Sequence, residues 1–151
     1  AFTFNPGYVW GLNETDHTDV ILQVEATPLT PNFENGFGLM CRASSSGDGY
    51  YFMMNPNGYF SILKGQGDAL VTLVDWQPAP AIRPQIDRNV MQAVCIGSHL
   101  ALYINQQLVG EVEDGTYQHG YAGLSVASAG SDADVAFDNL IIYEANSGIS
   151  A

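Results

Sequence analysis

The chain has 151 residues, enough for one domain that buries roughly two-thirds of its unfolded surface. Apolar residues make up 46% and charged residues only 13%, which excludes a disordered polar segment. Sixteen Asp and Glu against four Lys and Arg give a formal net charge of −12, so neither nucleic acid nor an anionic membrane is an expected partner.

No apolar run approaches the roughly 18 residues of a spanning helix, so membrane insertion is not expected either. The chain opens on Ala1, which fits a processed exported protein or an excised domain. An extracellular or cell-surface location is the expectation. One domain over 1–151 is read, with 1–18 and 145–151 as extended termini.

Alternation of apolar and polar residues dominates, and helical spacing is hard to find. In DVILQVEAT, Val20, Leu22, Val24 and Ala26 share a face, as do Phe37, Leu39, Cys41 and Ala43 in the next run. YYFMM (50–54) and YFSILK (59–64) flank Asn55-Pro56-Asn57-Gly58, a tight-turn element that predicts an antiparallel hairpin. ALVTLV (69–74) continues the pattern. Prolines 78, 80 and 84 then predict an irregular connection opened by Trp76. VMQAVCI, LALYI, LVGEVE and YAGLSVA follow. In DVAFDNLIIYE (134–144), parity places Val135, Phe137, Ile141 and Tyr143 on one face and Ala136, Leu140 and Ile142 on the other, predicting a strand covered on both sides. About ten or eleven strands and no helix predict an all-β, two-sheet antiparallel β-sandwich.

Cys41 and Cys95 both fall inside predicted strands. Joined, they would close a loop of about 55 residues, worth roughly 4 kcal/mol. Two buried reduced thiols are the alternative, and export would favour the disulfide.

The succession GLMCR, GYYFMMNPNGYFSILK, VDW, RNVMQAVCIGSHLALYINQQLVGEVED, GYAGLSV and VAFDNLIIY resembles the concanavalin A-like (laminin-G-like) jelly rolls of exported or surface bacterial proteins. Domains of the 3-keto-disaccharide hydrolase group share this outline. The resemblance begins near residue 19 and is carried by Asn89 to Asn105, Gly120 to Leu124 and Phe137 to Leu140. It implies the jelly-roll fold; this scaffold carries lectins, adhesion domains and enzymes alike. Family hairpins usually turn on Asn-Gly, whereas Asn105-Gln106 is a less permissive pair, so a different or longer turn is expected here.

Glycoside hydrolysis needs two carboxylates across a cleft. The nearest approach is Glu111 and Glu113, with Val112 between them and Asp114 beyond, which reads as the wet face of a hairpin strand. His17, His99 and His119 are dispersed, and no nucleophile elbow or zinc spacing occurs. Calcium is the metal candidate: Asp16 and Asp19 lie in one acid-rich loop, beside Asn13 and Glu14, and Asp132, Asp134 and Asp138 lie in another. Laminin-G-like domains often bind calcium, which the resemblance adds. Asn13-Glu14-Thr15 matches a glycosylation sequon.

Sugar sites stack flat rings on sugar faces and flank them with amides. Trp76, Tyr50, Tyr59, Arg42 and Asn57 are the candidate ligand-binding residues. The leading expectation is a non-catalytic extracellular carbohydrate-binding or adhesion module. A self-assembling surface or filament subunit, using the aromatic opening AFTFNPGYVW and the tail EANSGISA, is the second reading. A glycoside-processing enzyme is the third.

Overall fold

A computed structural model describes residues 2–4, 9–12, 15–28, 36–67, 69–84, 87–126 and 133–144. The described residues form strands and turns without helix, and no helix long and apolar enough to cross a membrane occurs among them. Two six-stranded antiparallel sheets stack as a β-sandwich. The first runs, edge to edge, β1 (Phe2–Phe4), β12 (Ala133–Glu144), β3 (Val20–Pro28), β8 (Asn89–Ile96), β9 (His99–Ile104), β10 (Gln107–Glu113). The second runs β2 (Val9–Leu12), β11 (Tyr121–Val126), β4 (Phe37–Ala43), β5 (Gly49–Met54), β6 (Tyr59–Gln66), β7 (Ala69–Pro78). The opening segment, read as an extended terminus, thus supplies an edge strand to each sheet. Asn13, Glu14 and residues 145–151 lie outside the described residues, and with them the sequon asparagine and nearly all of the tail.

The core follows from the two-residue period. Val20, Leu22, Val24 and Ala26 of β3 and Leu100, Leu102 and Ile104 of β9 are fully buried. They meet Phe37, Leu39, Phe52, Phe60 and Ile62 of the second sheet in one cluster. Phe37 and Phe137 pack edge to face across the layers, 6.1 Å between centroids. Truncating Leu102 to Ala is expected to cost about 2–5 kcal/mol in a denaturant titration. A loss below about 0.5 kcal/mol would mean that Leu102 does not face the interior.

The centre of the second sheet is apolar on both faces. Met40, Tyr51, Met53 and Leu63 point away from the main core yet are at most 6% exposed, forming a second cluster. The continuous run YYFMM expresses this double burial.

Two bulges correct the parity reading. On β12 the register slips between Asp138 and Ile141, with Asn139 at φ 55°. The faces exchange there, so Ile142 joins Val135 and Phe137 against the core while Ile141 and Tyr143 are exposed. The strand is one-sided, and its apparent double coverage came from counting through the bulge. On β4, three residue steps from Met40 to Ala43 oppose two on β11 from Gly123 to Tyr121. Arg42 sits in this bulge at φ 52°.

The hairpin at Asn105-Gln106 needs no longer turn. Ile104 pairs directly with Gln107, and both turn residues have positive φ, 53° and 71°. Asn105 is fixed in that state from three sides: its Nδ2 donates to Ala81 O and Asn89 Oδ1, and its Oδ1 accepts from Val90 N. Tertiary hydrogen bonds hold the conformation that glycine holds in an Asn-Gly hairpin turn.

Candidate functional site

Three of the five candidate ligand residues meet at one place. Trp76, Tyr59, Asn57 and Asn55 line an open cavity of about 270 Å³ beside the β5–β6 turn. The turn is built by Asn55, whose Oδ1 accepts from Asn57 N and Tyr59 N, with Gly58 at φ 89° closing it. Asn57 and Tyr59 therefore project from a fixed loop. Trp76 reaches them from β7, which continues through DWQP to Pro78 instead of ending before Trp76. An edge strand has no partner on one side, so the proline is tolerated where a central strand would exclude it. The indole lies over the start of β4: a Cβ placed on Gly36 would stand 2.7 Å from Trp76 Cη2. Trp76 is 37% exposed and Tyr59 41%.

Arg42 and Tyr50 do not join them. Tyr50 is fully buried, its hydroxyl donating to Asp114 Oδ1 at 2.6 Å and accepting from Tyr117 N at 3.1 Å. Arg42 is 3% exposed, and its guanidinium is a structural hub. Nε donates to Thr18 O, Nη1 to Gly97 O and Tyr117 O, and Nη2 to Asp19 Oδ1 and Cys95 O. Burial pushes its pKa down and the Asp19 charge pushes back.

The acid-rich loops do not converge among the described residues. Asp16 pairs with His119 Nδ1 at 3.1 Å, and Asp19 accepts from Arg42 and from Gly97 N. Asp138 stands opposite Glu25 on the first sheet. Asp132 and the Asp134 side chain lie outside the described residues; among the described residues no group of three or more metal-ligating side chains is found. Asp16 ties the segment before β3 to the loop before β11 through His119, and Asp19 ties the same segment to Arg42 of β4 and to the turn between β8 and β9.

Glu111 and Glu113 flank His99, at 3.4 Å from its Nε2 and 3.0 Å from its Nδ1, on the outer side of the first sheet. Val112 between them packs towards the core. Asp114, read as wet, is instead drawn inward, accepting from Lys64 Nζ at 3.0 Å as well as from Tyr50. Burial alone would raise its pKa, but hydrogen bonds from Tyr50, Thr116 and Lys64 outweigh it and hold the carboxyl well below the usual range. Tyr50 is pushed up to about 12 by burial and then by its bond to Asp114.

A carboxyl with a depressed folded pKa adds stability above its unfolded pKa of about 3.9 and loses it as pH falls further. The melting temperature is expected to drop between pH 5 and pH 3, with a shallower slope in Asp114→Asn. Equal slopes would separate Asp114 from acid unfolding. Residue type pointed to this buried group: Lys64 is one of only four cations and sits within an apolar strand, which requires an acid nearby.

Cys41 of β4 and Cys95 of β8 form a disulfide that joins the two sheets through the core.

No family model matches the sequence, and no curated protein matches it. Solved structures share the fold. The carbohydrate binding module CBM66 from Bacillus subtilis superposes with TM-score 0.77 at 17% identity, over 91% of this chain and 82% of that one. Sheep galectin-11, solved with glycerol, gives 0.63 at 12% identity, over 91% and 98%. The GH43 protein BlXynB from Bacillus licheniformis gives 0.64 at 12% identity, over 89% of this chain and 29% of that one. At these identities the likeness shows the fold alone, a two-sheet antiparallel β-sandwich, which binding modules and glycoside hydrolases share.

Proposed function

We propose that this domain is a non-catalytic carbohydrate-binding module of an exported or cell-surface protein, taking a neutral sugar unit against Trp76 and Tyr59. The observation that carries the reading is the cavity itself: two exposed rings and two asparagines line it, with no carboxylate among the described lining residues. The C–H face of a sugar ring stacks on an indole or phenol. The Asn57 amide offers both donor and acceptor to hydroxyls, so orientation is fixed without charge.

Hydrolysis would need two carboxyl groups about 5–9.5 Å apart across the scissile bond. Glu111 and Glu113 stand on β10, in the sheet opposite the rings, and both are bonded to His99. The similar folds of CBM66 and galectin-11 support a sugar-binding role, and the disulfide supports an oxidising compartment.

Calorimetric titration with neutral oligosaccharides tests the reading. Binding should saturate at one equivalent or more, and Trp76→Ala should weaken it at least about tenfold while leaving folding intact, since the ring is part-exposed. Absence of heat across the panel would end the proposal. Release of reducing sugar by the purified protein would overturn its non-catalytic part.

A further inference from the structure

The opposite end of the second sheet holds a second cavity, of about 730 Å³, within the usual size of small-ligand sites. The ring-lined cavity adjoins Met54, the partner of Phe37 at the start of β4, whereas this one adjoins Ala43 at its end. At about 3.3 Å per residue the two are separated by roughly 20 Å of strand.

Its walls come from three segments: Ser44, Ser45 and Asp48 after β4, Gln118 and Tyr121 before and on β11, and Asp16 before β3. These segments are held as one unit by hydrogen bonds. His17 and Gly120 exchange backbone bonds of 2.8 and 3.0 Å. Asp16 meets His119, and Arg42 ties Thr18, Asp19 and Tyr117 from behind. Such a cavity is pre-organised, which lowers the ordering cost of binding.

We infer that this cavity is a second, separate saccharide site for an uncharged sugar unit. Its wall offers hydroxyls, an amide, carboxylate oxygens and a half-buried tyrosine ring, the groups that bind hydroxyls and sugar C–H faces. It offers no positive charge to an anion. Arg42 lines it, but all five of its N–H groups are directed to protein acceptors. Lys64 is held by Asp114 and Thr116, and His119 faces Asp16. Asp16 and Asp48 repel uronate, sulfate and phosphate alike. The module is then bivalent along one sheet, able to grip a polymer at two points and gain effective concentration at the second. The inference shares its ligand class with the proposed function, but its residues are different.

Amide NMR titration of the intact chain separates the two sites. Neutral gluco-, manno- and galacto-oligosaccharides are added to the wild type and to Trp76→Ala, alongside an oligogalacturonide as the anionic counterpart of the galactan. In Trp76→Ala, amides of residues 44–48 and 116–121 should still shift, saturably. Asp48→Asn combined with Gln118→Ala should weaken that response at least tenfold at an unchanged melting temperature; Asn keeps an acceptor for the Gly67 N–H that Asp48 Oδ1 now holds. Shifts confined to residues 55–59 and 76, and lost entirely in Trp76→Ala, would overturn this inference and leave the ring-cavity reading standing. Shifts nowhere would overturn both. Equal binding of the oligogalacturonide at residues 44–48 would refute the ligand class.

Discussion

Replacing Arg42 by Met is expected to destabilise the fold by about 3–5 kcal/mol, the range for breaking a buried, hydrogen-bonded charge pair. The methionine fills space but donates nothing, so four carbonyls and the Asp19 carboxylate lose their shared donor at once. Asp19 has a side chain only 17% exposed, and its charge would remain without the guanidinium. For a chain of this size the melting temperature should fall by about 10 °C. Arg42→Lys should recover only part of the loss, because one ammonium cannot reproduce a five-donor planar fork. A cost below about 1 kcal/mol for Arg42→Met would mean that water replaces these bonds and that the hub holds nothing.

Removing the disulfide by a Cys41→Ala, Cys95→Ala double variant is the second large effect. Its sequence separation of 54 predicts a loss of about 4 kcal/mol in the chain-entropy account. The bond joins adjacent layers of the sandwich, so the loosened state should expose apolar surface in the core between β4 and β8. Arg42 follows Cys41 and donates to Cys95 O, so both tethers connect the same two strands. Their effects should therefore be non-additive by about 0.5–3 kcal/mol in a double-mutant cycle, read by urea titration. Strict additivity would show that the two tethers act independently. No change in midpoint on removing the cysteines would show that the layers hold by packing alone.

Much of the architecture is written in alternation. β3 and β8 each bury every second residue, and β9 buries Leu100, Leu102 and Ile104 in the same rhythm with Ala101 buried besides, so these strands are readable from residue type alone. What parity could not carry was the interruption of parity. A single extra residue on β4 swings Arg42 off the outer face that alternation assigns it and into contact with β8. Another on β12 exchanges Ile141 for Ile142 at the core. Bulges are set by cross-strand partners distant in sequence, so no local pattern announces them.

The site was partly legible for the same reason. Asn57 and Tyr59 belong to a turn whose chemistry is local, and Trp76 lies near enough to an edge to be exposed. Their convergence depends on the pairing of β6 with β7, where Tyr59 meets Pro78. Tyr50 is buried in the core and its hydroxyl meets Asp114, 64 residues away, a contact that no local pattern announces. The turn at Asn105 shows the converse: a pair that looks unsuited to a tight hairpin is held there by Asn89 and Ala81.

Retardation in native gels cast with neutral polysaccharides measures the central claim most directly. The wild type should be slowed in at least one such gel, Trp76→Ala should migrate nearly as in the blank gel, and the polymer should keep its length. Unretarded migration of the wild type in every neutral polymer, or equal retardation of Trp76→Ala and wild type, would contradict a sugar site built on the Trp76 ring.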